Sequence, residues 1–167
     1  MTAADLVLAV AAVAFAVLSV MLAVIDARTH RLPNRIVLPA YPLGIATLVM
    51  ACLLGAPWSR LGTALAGMLL LFAAYAVMRL STRSGIGGGD VKLAGVIGLV
   101  LGWVGWDAVL VGVAATFILG GLFGAVLLAS RRAEGRTRIA FGPWMLAGAW
   151  VGLVASWVPP VAGSSVA

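Results

Sequence analysis

The chain has 167 residues, of which 63% are hydrophobic and only 10% charged, with a formal net charge of +6 and a mean hydropathy of +1.16. Soluble domains carry roughly 25% charged residues, so a soluble fold is excluded. The positive balance does not point to nucleic acid either, because the basic residues are confined to short connections between apolar runs.

Crossing about 30 Å of hydrocarbon takes about 20 apolar residues. Such windows predict six spans, at 6–25, 36–54, 61–80, 91–105, 108–129 and 139–158. No Lys or Arg precedes the first span, so it lacks the basic leader of a signal peptide and reads as a retained helix. It ends on Asp26, and the connection 26–35 carries Arg28, Arg31 and Arg35. The second span holds the single cysteine, Cys52, which excludes an intrachain disulfide and a CxxC zinc site. After the third span, segment 79–92 carries Arg79, Arg83 and Lys92. The fourth span is short, about 22 Å at the helical rise, and "GWVGWD" (102–107) must turn the chain back. A short span is tolerated where neighbouring helices cover its backbone. Glycines at helical spacing (Gly95, Gly98, Gly102; Gly120, Gly121, Gly124) predict close helix packing. Connection 130–138 adds Arg131, Arg132, Arg136 and Arg138.

Ten of the eleven Lys and Arg residues thus lie in alternate connections, with Arg60 the exception. The positive-inside rule places those connections in the cytoplasm and both termini outside. Trp58, Trp103, Trp106 and Trp157 then fall at the outer ends of spans, as an aromatic belt would. The expected fold is an all-α integral membrane protein. It forms one six-helix bundle over residues 1–158, followed by a short tail at 159–167.

So few acidic residues are present that each can be weighed. Asp5 and Asp107 are expected in solvent, and Glu134 in a surface ion pair among arginines. Asp26 closes the first span and Asp90 opens the fourth, so two carboxylates on different helices share one membrane level. Plain structural roles exist for both. Asp26 pairing with Arg28 is one, and Asp90 capping the fourth helix is the other. Against these, ionisable groups at membrane depth are costly and tend to be functional. The helix dipole also disfavours an anion at the C-terminal end where Asp26 sits. Gly85, Gly87, Gly88 and Gly89 lead into Asp90, and their freedom to adopt positive φ would let an extended peptide approach the carboxylate. A phosphate-cradling role has little support, since no G-x-x-x-x-G-K-[ST] is present and no strand precedes the loop.

Three motifs in order, "DARTHRLPN" (26–34), "GIGGGDVKLA" (85–94) and "IAFGPWMLAG" (139–148), resemble the type IV prepilin peptidases, membrane aspartyl proteases of the GxGD type. The resemblance runs from about residue 6 to residue 150. It implies that Asp26 and Asp90 are the catalytic pair, with no cofactor and no metal. It assigns Gly87, Gly88, Gly89, Lys92, Pro33 and Asn34 to loop geometry or substrate contact, although snorkelling to the interface would equally explain Lys92. The implied substrate is a prepilin or pilin-like protein with a short basic leader followed by a hydrophobic helix. It would be cut at the cytoplasmic edge of a bacterial inner membrane, the helix lying beside spans one and four. Ala140 departs from the proline usual in the last motif. Connection 26–35 is too short for the cysteine-bearing insertion of larger members, which points to a minimal, peptidase-only form with membrane lipids and the prepilin as partners. His30, the only histidine, leaves no Ser–His–Asp set and is expected in solvent, with at most a minor contact to substrate. Two other readings remain: a metal-dependent lipid-headgroup phosphotransferase, with Asp26 and Asp90 holding Mg²⁺, and a non-enzymatic transporter or assembly subunit whose aspartates relay protons. Oligomeric state is left open.

Overall fold

The computed structural model describes residues 2–81, 87–130 and 140–157. Among these the structure is all-helical: α1 (Ala3–Thr29), α2 (Asn34–Leu53), α3 (Trp58–Ser81), α4 (Gly88–Val104), α5 (Trp106–Ala129) and α6 (Gly142–Ala155). Each of the six apolar windows contains one helix. Four of them, α1, α2, α3 and α5, are long and apolar enough to cross a membrane.

The other two are shorter. Helix α4 has 17 residues and α6 has 14, about 25 Å and 21 Å at the helical rise. The last helix is therefore shorter than the expected 139–158. It starts at Gly142 with Pro143 in its first turn, where a missing N–H costs nothing because that group has no intrahelical partner. Gly105, at φ 150°, ends α4 and starts α5. That backbone angle favours glycine and makes the sharp reversal expected at "GWVGWD".

Local chemistry sets the other boundaries. Thr2 and Asp5 cap α1 reciprocally, Asp5 Oδ2 accepting the Thr2 N–H at 2.7 Å and Thr2 Oγ1 accepting the Asp5 N–H at 3.1 Å. The far end of α1 closes on His30, which adopts the left-handed conformation (φ 51°) and donates its N–H to the Asp26 carbonyl at 2.8 Å. Pro33 then holds extended backbone (φ −71°, ψ 125°) and opens α2, its carbonyl accepting from the Ile36 and Val37 N–H groups. Pro39 and Pro42 lie inside α2 without ending it. Membrane helices accept such prolines because neighbours re-satisfy the freed carbonyls.

Helix α4 is the centre of the bundle, with twelve of its residues buried. It packs most closely on α3, backbone against backbone. A Cβ added to Gly67 would lie 2.6 Å from the Gly98 carbonyl oxygen, one on Gly102 would lie 2.6 Å from that of Thr63, and one on Gly98 would collide with the Gly67 carbonyl. Helices α5 and α6 meet in the same way: a Cβ added to Gly148 would lie 2.6 Å from the Gly112 carbonyl oxygen, and one on Gly152 would lie 2.5 Å from that of Ala108. Small residues allow this approach, and dispersion between the closely set backbones holds the helices together where lipid supplies no hydrophobic drive. The expected packing role of Gly98 and Gly102 is therefore met. Gly95 instead receives the Tyr41 hydroxyl, and no atom comes within 4 Å of a Cβ placed on Gly121.

One expectation about tryptophan needs correction. Trp58, Trp106 and Trp157 are exposed, but Trp103 is only 7% exposed and packs in a core cluster with Leu48, Ala51, Cys52, Ala64 and Leu99. It lies on the side of α4 that faces α2 and α3. Asp5 and Asp107 are exposed as expected, whereas Glu134, Gly85, Arg83 and the arginines of 131–138 fall outside the described residues.

Candidate active site

Five helix ends converge at one end of the bundle: the C-terminal ends of α1 and α3 and the N-terminal ends of α2, α4 and α6. Contacts on the two aspartates and around them define this convergence. Asp26, in the last turn of α1, accepts the Gly142 N–H at the start of α6, with Oδ2 at 3.0 Å. Asp90, in the first turn of α4, accepts the Gly87 N–H with Oδ2 at 3.0 Å. The charges of the two carboxylates reach one another. Asp26 is 4% exposed and Asp90 9%, and among the described residues no other charged side chain is buried.

The plain roles weighed for these residues are modified. Arg28 is exposed while Asp26 turns inward to α6, so Asp26 is not spent on its basic neighbour. Asp90 is not the N-cap, because α4 begins earlier and Gly87 holds that position. It sits at the third helical position, where its carboxylate closes half of a capping box onto the Gly87 N–H. That bond is satisfied by the chain's own turn and uses one oxygen of the group.

Leu-Pro-Asn fits against the glycines residue by residue. Leu32 is buried and lies over Gly89, where a Cβ would come 2.7 Å from Leu32 Cβ. Pro33 sets the entry into α2. Asn34 Oδ1 accepts from Lys92 Nζ at 2.8 Å, so Lys92 is tied across to α2, a partnership that neither snorkelling nor substrate contact anticipated. Two turns along α2 from Asn34, the Tyr41 hydroxyl donates to the Lys92 carbonyl at 2.6 Å. Asn34, Lys92 and Tyr41 thus clasp α2 to α4 beside the carboxylates.

The glycines themselves differ from expectation. Among the described residues the only glycines with positive φ are Gly55 and Gly105, so Gly87, Gly88 and Gly89 are not held by left-handed backbone. Gly87 is extended (φ −69°, ψ 149°), and Gly88 and Gly89 form the first turn of α4. Their missing side chains leave room for internal neighbours: Leu32 over Gly89 and the Arg79 guanidinium against Gly88. Arg79, on the last turn of α3, brings its positive charge within range of Asp90.

Several contributors were not singled out in the sequence. Gly142 supplies Asp26 with its hydrogen bond, and a Cβ there would lie 2.6 Å from Asp26 Oδ2. A backbone donor leaves no side-chain signature, although the "FGP" it belongs to was visible. Tyr75, 3% exposed, lies within electrostatic range of Asp90. Its ring meets Phe141 at 6.5 Å and Phe117 at 6.2 Å between centroids, forming an apolar floor. Tyrosine at helical spacing before a basic residue carries no distinctive pattern.

Comparison with known proteins gives the family. The sequence profile of the type IV leader peptidase family matches residues 13–128, and the chain belongs to that family. It is 36% identical over 140 residues to the prepilin leader peptidase/N-methyltransferase of Bacillus subtilis, covering 82% of this chain and 52% of that protein. To the protein of the same description from Stutzerimonas stutzeri it is 32% identical over 137 residues, covering 80% and 45% respectively. The corresponding Pseudomonas aeruginosa protein is 30% identical over 134 residues. The chain spans about half the length of the curated relatives it matches. No solved structure matches it. With its long apolar helices, this membership makes the chain a multi-pass membrane protein.

Proposed function

We propose that the chain is an aspartyl endopeptidase that removes the leader of type IV prepilins or pilin-like proteins at the cytoplasmic face of a bacterial inner membrane. Asp26 and Asp90 are the catalytic pair in this reading. One observation carries it: in a chain this apolar, the only two buried charged side chains among the described residues are carboxylates, on different helices at one end, within range of each other's charge. Burying two like charges side by side is unfavourable for structure alone. It is the arrangement needed for acid–base hydrolysis of a peptide bond.

Two close carboxylates do not both ionise readily, so the pair shares a proton. The ionised member takes a proton from water as the water oxygen attacks the scissile carbonyl carbon. The protonated member gives its proton to the carbonyl oxygen. When the C–N bond breaks, the proton taken from water passes to the departing nitrogen, a hydroxyl of the tetrahedral intermediate returns its proton to the other carboxylate, and the carboxyl product leaves with the water oxygen, so the pair again holds one proton. The apparent titration steps belong to the pair rather than to either residue. The Gly142 N–H holds Asp26 in orientation and the Gly87 N–H holds Asp90, which leaves an oxygen of each carboxylate for water and substrate.

Cytoplasmic placement is supported by the basic residues of the described helix ends, Arg28, Arg31, Arg35, Arg79 and Lys92, which share the aspartates' end of the bundle. Both termini then face outward. Connection 30–33 between α1 and α2 holds no second domain, which supports cleavage without methyl transfer by this segment.

The test is cleavage of a prepilin by purified protein, for the unaltered chain and for Asp26→Asn and Asp90→Asn at matched levels. Asn keeps the size and still accepts the Gly142 or Gly87 hydrogen bond. Structural roles therefore predict small losses, whereas proton sharing predicts near-complete loss from either change and little further loss from both, since residues acting as one unit are not additive. Wild-type turnover by Asp90→Asn would sink the pair. A parallel assay with chelator separates this reading from a Mg²⁺ site on the same carboxylates, which chelator would empty.

A further inference from the structure

Helices α3 and α4 run antiparallel, and their close contacts fix the register. A Cβ on Gly102 would lie 2.6 Å from the Thr63 carbonyl oxygen, one on Gly98 would collide with that of Gly67, and one on Gly88 would collide with the Arg79 guanidinium. Thr63, Gly67 and Arg79 belong to one row of α3 at four-residue spacing, whose other members are Leu71 and Tyr75. On α4 the facing row runs Gly102, Gly98, Ala94, Asp90. Side chains four apart form a ridge along one helix face, so the same register sets Leu71 against Ala94 and Tyr75 against Asp90. All four are buried, and the Asp90 charge acts on Tyr75, as that register requires.

Tyr75 also reaches toward the other carboxylate. Its ring lies 6.5 Å between centroids from that of Phe141, the residue before Gly142, whose N–H holds Asp26. The side chain therefore stands between the elements that carry the two aspartates.

Its hydroxyl is uncommitted. Of the two tyrosines, Tyr41 donates to the Lys92 carbonyl at 2.6 Å, whereas the Tyr75 hydroxyl makes no hydrogen bond to a described residue. Among the described residues no sealed side-chain oxygen lacks a partner, so this one keeps contact with open space although its residue is only 3% exposed. Packing alone does not call for the oxygen: Phe117 and Phe141, stacked on the same ring, fill their space without one, and burying an unbonded hydroxyl is costly.

We propose that the Tyr75 hydroxyl is a third catalytic group, donating a hydrogen bond to the scissile carbonyl oxygen as that oxygen gains charge. The proposal rests on the peptidase reading and adds a donor to it. The phenol transfers no proton. The carbonyl oxygen takes its proton from the protonated carboxyl, and the tyrosine O–H bond stays intact throughout. A donor already in place where charge develops costs no reorganisation, and losing one typically slows turnover about 10²–10³-fold. The bond is weaker to the uncharged carbonyl of bound substrate, so it acts on kcat and not on KM.

Tyr75→Phe removes the oxygen and keeps the ring. Initial rates of prepilin cleavage over a range of substrate concentrations, with the thermal unfolding midpoint read on the same detergent-solubilised preparations, test the proposal. The variant should lose at least about tenfold in kcat with KM within about twofold of the unaltered chain. Its midpoint should be unchanged, because the ring contacts survive and no hydrogen bond is lost. A kcat within about twofold of the unaltered chain would make Tyr75 a packing residue, overturning the proposal and leaving the peptidase reading intact. A loss confined to KM would make the hydroxyl a ground-state contact, and a lowered midpoint would give it a structural partner; either result also overturns the proposal. Absence of cleavage by the unaltered chain would refute the peptidase reading and this proposal together.

Discussion

Gly142 shows how narrow the tolerances around Asp26 are. Its N–H reaches Asp26 Oδ2 at 3.0 Å, and its Cα is so close that a Cβ would sit 2.6 Å from the same oxygen. Alanine at this position has no backbone objection, since the residue is helical. Its methyl must displace the carboxylate or the start of α6. Gly142→Ala is therefore expected to lower prepilin cleavage at least about tenfold, about 1.4 kcal/mol of transition-state stabilisation, with normal accumulation in the membrane. Turnover within twofold of the unaltered chain would show that Asp26 has room to move. This contact joins residues 116 positions apart, and no local pattern marks it. The aspartates were legible for the opposite reason. Charge is so rare and costly in apolar spans that Asp26 and Asp90 stood out on placement alone. The glycines before Asp90 were legible as a feature but not in their use, because composition does not say whether the space left by a missing side chain is filled from outside or, as with Leu32 and Arg79, from within.

At the level of helices, α4 presents the aspartate and also makes the tightest contacts, so position and packing are coupled. Gly98 lies against the Gly67 backbone with no space for a side chain. Overpacking typically costs on the order of 1–3 kcal/mol, and here the obstacle is backbone, which cannot rotate away. Gly98→Val is expected to lower the thermal unfolding midpoint of the detergent-solubilised protein and to reduce cleavage by displacing α4. Gly121→Val, with nothing within 4 Å of its Cβ position, should leave both unchanged. Equal behaviour of the two variants would mean that α3 and α4 separate freely. The helices themselves were readable from apolar window length. Their ends were read less well, because α4 begins at Gly88 with glycines recruited into its first turn, where propensity argues for a loop.

For the whole molecule, the testable statement is orientation. The described connection 30–33 and the ends of α3 and α4 share the aspartates' end, so Arg28, Arg31, Arg35, Arg79 and Lys92 lie at the same end of the bundle as the two carboxylates. With Cys52 replaced by serine, Ser59→Cys on intact cells should react with an impermeant maleimide, and Arg31→Cys should react only after permeabilisation. The reverse pattern would put the aspartates outside and remove the cytoplasmic assignment. By itself the sequence determined that the chain is apolar and helical, that its basic residues alternate between connections, and which two carboxylates are out of place. Hydrophobicity, charge and length act locally and additively, so they can be read along a chain. Only the tertiary structure decided that Gly142 holds Asp26, that Asn34 and Tyr41 clasp Lys92, and that Trp103 is core. Each of these depends on which helices become neighbours and how closely their backbones approach, and no single segment encodes that.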